Sequence, residues 1–166
     1  MAVSRYSLTD YILSVKVPNE LREIFLEDSN DESQNIISIG GDNSYVGEIQ
    51  VGEPKKAQWT VEGDDTGSYV ANKSKNRTAD ISVQLNQVSD KVNLLTRLFE
   101  TYYDADTITE GLTLTITKAT SGGNQQVVAT GSDCYLTTRP AKVMGSTATN
   151  QTWTFACGRV TTSGLA

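Results

Sequence analysis

Histidine is missing from this chain altogether. That removes the commonest general base at neutral pH, the Ser-His and Cys-His nucleophile pairs, and most zinc sites. Cysteine occurs only twice, at Cys134 and Cys157, which is too few for the disulfide framework of a small secreted protein. No apolar run approaches the ~20 residues that a membrane helix needs, so no membrane anchoring is expected. Met1-Ala2-Val3-Ser4-Arg5-Tyr6 lacks a basic segment followed by an apolar one, and synthesis and assembly in the cytoplasm are expected. Positive charge is also scarce: 14 Lys and Arg against 20 Asp and Glu leave a net charge of −6. Tight capture of nucleic acid needs clustered cations. The short cluster Lys73, Lys75 and Arg77 reads as a solvated hairpin tip. Neither a phosphate-binding glycine loop nor a paired metal motif occurs, and Gly40-Gly41 and Gly122-Gly123 sit among Asn, Asp and Ser, as turns do. An enzyme, a cofactor and a metal are therefore not expected.

What remains is a chain rich in Thr, Ser, Asn, Gly and Val, 37% hydrophobic and 166 residues long. One domain spanning 1–166 can bury a sizeable core at this length. Period-two alternation predicts a strand from Tyr11 to Val17, ended by Pro18. Leu21 to Leu26 reads as a short strand or a helical turn. The acidic stretch 27–35 reads as an exposed loop, without the spacing or glycine of a calcium-binding EF-hand. Further strands are predicted at Ile36–Ile39 and Tyr45–Val51. After Pro54, Ala57, Trp59 and Val61 share one face, with Lys56, Gln58, Thr60 and Glu62 on the other. A turn over Gly63–Gly67, a short strand over Ser68–Ala71 and a tight turn over Lys73–Asn76 lead into the clearest strand of the chain. There Ala79, Ile81, Val83 and Leu85 oppose Thr78, Asp80, Ser82, Gln84 and Asn86.

One helix stands out, over about residues 90–103. Ser89 or Asp90 caps it, and Val92, Leu95, Leu98, Phe99 and Tyr102 recur at helical spacing. Strands are then predicted over 112–117, 126–129, 134–138 and 152–160, with a turn at Ser121–Asn124 and a loop at 145–150. The fold class this implies is mainly β, an antiparallel sandwich or partly closed barrel with one flanking helix. Cys134 and Cys157 lie symmetrically about Gly145-Ser146. If the flanking strands pair there, the thiols face each other.

The order of these elements resembles the tail tube proteins of contractile-tailed bacteriophages. The likeness is carried by Gly67-Ser68-Tyr69-Val70, Asn72 to Arg77, Ala79 to Leu85, Gln87-Val88-Ser89 with the helix from Asp90, Arg139-Pro140, and Trp153-Thr154-Phe155. It runs over about residues 45 to 160 and rests on order and spacing rather than on one diagnostic motif. The acidic stretch at 27–35 departs from the pattern.

The resemblance implies a self-assembling virion subunit of the tail. Six-membered rings would stack into a tube inside a contractile sheath and conduct DNA into the host. Tail sheath, tape-measure, baseplate and tail terminator proteins would be its partners. A bore that lets DNA slide would be polar or acidic, because duplex DNA carries about one negative charge per ~1.7 Å. The polar faces, Gln58, Thr60 and Glu62 with Thr78, Asp80, Ser82, Gln84 and Asn86, are the lumen-lining candidates. The segment 63–77 is the inter-ring hairpin candidate, with Asp64 and Asp65 set against Lys73, Lys75 and Arg77. Cys134 and Cys157 are candidates for a disulfide, within one subunit or between two, with reduced buried thiols as the simpler arrangement. A tail terminator or baseplate ring of the same fold is the alternative. A monomeric carbohydrate-binding sandwich, with Trp59 and Trp153 in a sugar platform, is a more distant one.

Overall fold

The strand alternations seen in the sequence translate into one large sheet with a single apolar face. The computed structural model describes residues 11–18, 36–40, 46–104, 110–119 and 125–163. In chain order the strands are β1 (Tyr11–Lys16), β2 (Ile36–Gly40), β3 (Val46–Val51), β4 (Trp59–Gly63), β5 (Tyr69–Lys73) and β6 (Ala79–Asn86). Helix α1 (Asp90–Asp104) follows, then β7 (Leu112–Ala119), β8 (Gln125–Leu136) and β9 (Asn150–Thr162). Among the described residues, seven strands form one sheet in the order β2-β1-β7-β8-β9-β6-β3, and β4 and β5 pair with each other in a second, two-stranded sheet. Every pairing among the described strands is antiparallel. The sheet curls into a half-barrel, so of the two expected arrangements the partly closed barrel is the one formed.

Alternate residues of the strands fill the core. Leu13 and Val15 meet Ile37 and Ile39 on one side and Leu114 and Ile116 on the other, through β1. Ile81, Val83 and Leu85 of β6 pair with Phe155, Trp153 and Gln151 of β9. Helix α1 covers this face with Val92, Leu95 and Leu98. Its start is fixed by Ser89, whose Oγ accepts the Lys91 amide at 3.3 Å while its carbonyl accepts that of Val92. Each large apolar side chain removed from water here contributes roughly 1.5–3 kcal/mol.

Three expectations need correcting. The segments 126–129 and 134–138 belong to one continuous strand, β8, that runs through a bulge rather than a break. Ser132 and Asp133 together oppose Thr113, and Asp133 takes a left-handed φ of 50° that Asp tolerates better than most residues. Lys73, Lys75 and Arg77 are not at a hairpin tip. The tip is the 64–67 turn, and the cations sit at the other end of the β4–β5 ribbon, where the chain enters β6. Trp153 is buried in the core and cannot belong to a surface sugar platform, whereas Trp59 is half exposed. The acidic loop 27–35, the 21–26 element and the Ser121–Asn124 turn lie outside the described residues.

Candidate assembly interface

Strands β3 and β6 are not joined by a tight turn. Beyond Gly52 and Lys55, whose amides bond to the Asp80 and Thr78 carbonyls at 2.7 and 2.8 Å, the chain leaves the sheet as a second, separate ribbon. This arm is β4 paired to β5, and all of its strand residues are exposed. The register places Trp59 opposite Lys73, Val61 opposite Ala71 and Gly63 opposite Tyr69. Residues directly opposite share a face, so Trp59, Val61, Ala71 and Tyr69 form one apolar surface. Trp59, Val61 and Tyr69 are 52%, 65% and 73% exposed. The Lys73 ammonium lies 5.5 Å from the Trp59 ring centroid and caps one end of this surface. A two-stranded hairpin alone in water is marginally stable at best. An apolar face left uncovered on such a ribbon is a surface built to be covered.

The turn at the arm's tip is nevertheless firmly made. The Asp64 carboxylate accepts hydrogen bonds from Thr66 Oγ1 at 2.7 Å, the Thr66 amide at 2.9 Å and the Ser68 amide at 3.0 Å. These bonds, that from the Thr66 hydroxyl first, hold its carboxyl below the usual carboxylate range. Gly67 closes the turn at φ 88°, a backbone region that side chains rarely enter.

The charged sequence-derived candidates on the arm separate into two places. Glu62, Asp64 and Asp65 lie toward the tip. Lys73, Lys75 and Arg77 line a cleft of about 820 Å³ at the arm's root, which Lys56 and Arg159 also line. The opposite charges within 63–77 are therefore at opposite ends of the arm rather than in one cluster. Sequence reasoning missed Arg159 because it arrives from β9. The Val160 amide donates to the Arg77 carbonyl at 3.1 Å, which draws the end of β9 alongside the chain entering β6.

The lumen candidates divide as well. Thr60 and Glu62 share the polar side of the arm with Asn72 and Val70, and Gln58 sits at its root. Asp80, Ser82, Gln84 and Asn86 lie together on the sheet face away from the core, beside Ala156, Thr154, Thr152 and Asn150 of β9. Thr78 precedes them, where its amide and hydroxyl donate to Asn76 Oδ1. Asp80 is paired with Lys55 at 3.2 Å, and the Asn86 amide bonds to the Asn150 side chain at 3.0 Å. Thr115 and Thr130 pair on this same side, which makes it a broad surface of hydroxyls and amides with little charge.

Strands β2 and β3 each pair on one side, which leaves two sheet margins among the described strands. A margin of this kind offers backbone donors and acceptors to another chain. Cys134 and Cys157 are cross-strand partners of β8 and β9, both buried, with their sulfurs 2.6 Å apart and the Cys134 thiol donating to Cys157 Sγ. The hydrogen bond to Cys157, aided by burial, pushes the Cys134 thiol up. In this arrangement each sulfur faces its own chain's partner, inside the core. A bridge to a second subunit would need both to turn outward.

No family model and no curated protein sequence matches the chain. Solved structures do. A chain from the sheath/tube terminator of an extracellular contractile injection system, in its extended state, aligns over 99% of this chain and 100% of its own length, with a TM-score of 0.56 and 13% identity. A chain from the sheath-tube complex of such a system, also extended, aligns over 97% of this chain and 93% of its own, with a TM-score of 0.52 and 13% identity. At that identity the likeness establishes the fold, one that occurs in the tube-and-sheath assemblies of contractile injection systems.

Proposed function

We propose that the chain is a ring-forming structural subunit of the tube of a contractile tail, with no catalytic role. The observation that carries this reading is the free-standing β4–β5 arm, which exposes Trp59, Val61 and Tyr69 on a ribbon too small to be stable alone. Burying such side chains against a neighbouring copy contributes roughly 1.5–3 kcal/mol each, and open sheet margins add backbone pairing. Contacts of one patch with a different patch on the next copy close into rings or run on as filaments. The shared fold with tube-and-sheath assemblies supports the same reading.

In that setting the uncharged polar face built on Ser82, Gln84 and Asn86 suits a bore through which DNA slides without being held. Six-fold rings, the sheath and tape-measure partners, and a location in the tail particle belong to the same proposal. A second reading, a terminator ring that ends the tube, is favoured by the likeness to the sheath/tube terminator chain. Negative-stain microscopy of concentrated pure protein separates them. Open-ended tubes support the shaft subunit, and rings that never elongate support the terminator. A strictly monomeric protein, absent from the tails of purified particles, overturns both.

A further inference from the structure

The arm is electrically polarised along its length. Toward the tip, residues 61–70 hold Glu62, Asp64 and Asp65 and no Lys or Arg. At the root, the cleft is lined by Lys56, Lys73, Lys75, Arg77 and Arg159, with no Asp or Glu among its lining residues. Five residue steps along the ribbon, from Trp59 opposite Lys73 to Asp64 in the turn, separate the cleft from the turn carboxylates. At ~3.4 Å per residue that is roughly 17 Å, about twice the Debye length of ~8 Å at physiological salt. The turn carboxylates of Asp64 and Asp65 are therefore largely screened from the cleft of their own molecule. The charge of the tip is opposite to that of the cleft of another copy.

We propose that the acidic tip of one copy's arm seats in the basic cleft of a second copy, so that subunits join head to tail. The proposal rests on the assembly reading above and deepens it by naming which surfaces meet. Asp64 is committed to the turn and accepts its hydrogen bonds, so the tip enters the contact already ordered. Glu62 and Asp65 are exposed and supply the charge that the cleft receives. The occupant is a second copy rather than a nucleic acid because the complementary acidic element is present on the same chain, and a net charge of −6 repels polyanions at distance. Exposed charge pairs stabilise weakly, about 0–1 kcal/mol each. Their part here is to fix partner and direction, while the apolar face supplies attraction.

Charge reversal tests this on the full chain, by sedimentation velocity and negative-stain microscopy, with circular dichroism confirming that each variant is folded. Glu62→Lys with Asp65→Lys reverses the tip, and Lys75→Glu with Arg77→Glu reverses the cleft. Each pair alone is expected to weaken assembly at least ten-fold. Mixing the two variants restores it, because each then offers the other a matched tip and cleft. Wild-type assembly by either reversed variant, or no recovery on mixing, overturns the proposal while leaving the assembly reading intact. So does a cleft variant that assembles normally but loses binding to a labelled DNA duplex, which would make the cleft a phosphate site. A wild-type chain that stays monomeric defeats the assembly reading itself.

Discussion

Gly131 stands directly over the two thiols. A Cβ built there would lie 3.0 Å from Cys134 Sγ and 3.1 Å from both Cys157 Sγ and the Ile81 Cδ1. The β8–β9 register that sets the sulfurs face to face also leaves little room for a side chain beside them. Gly131→Val is expected to cost about 1–3 kcal/mol by overpacking, read from urea unfolding. Asp64 gives a different kind of prediction. Its folded pKa is lowered, so its contribution to the turn is complete above the ordinary Asp value and is lost as pH falls through the lowered one. The Thr66 amide resonance should hold its position into mild acid and move only below the usual Asp range. A shift centred in the ordinary range would show that the turn bonds are not made in solution. The cysteine facing was legible from symmetry about Gly145-Ser146, whereas the crowding at Gly131 was not, because it comes from β6 and β9 together with Cys134 beyond the β8 bulge.

Helix and arm depend on the rest of the molecule in opposite ways. Helix α1 was legible because a capping residue and a repeating apolar stripe are local signals, and its buried Val92, Leu95 and Leu98 are the residues the spacing marks. Leu95→Ala should therefore destabilise the whole sheet-and-helix body by about 2–5 kcal/mol. The arm shows the same alternation as the core strands, and alternation reports a face without saying what covers it. Trp59→Ser with Val61→Ser should leave the urea midpoint of the body within about 0.5 kcal/mol, as surface changes do, yet reduce assembly. A large drop in monomer stability would place the arm on the body instead. The basic cluster was visible in sequence, but its position at the root of the arm was not. That position depends on β5 running through Lys73 before the chain turns into β6.

For the whole molecule, assembly should be visible in its two tryptophans. Trp153 is 1% exposed and Trp59 is 52% exposed in the isolated chain. Acrylamide should quench roughly half of the emission at low concentration and much less once rings form, with a blue shift as Trp59 leaves water. Unchanged quenching on assembly would mean that the arm's apolar face stays open in the particle.

By itself, the sequence determined which residues lie on the apolar side of each strand and helix, and hence a mainly β body with one helix and no histidine-based chemistry. Those properties follow from backbone periodicity and composition, which are local. Only the tertiary structure decided that β8 is one bulged strand, that β4 and β5 leave the sheet as an arm, and that Arg159 joins Lys56 and Arg77 around a cleft. Each of these depends on pairing between segments far apart in the chain, where hydrogen-bond register rather than residue pattern sets the outcome.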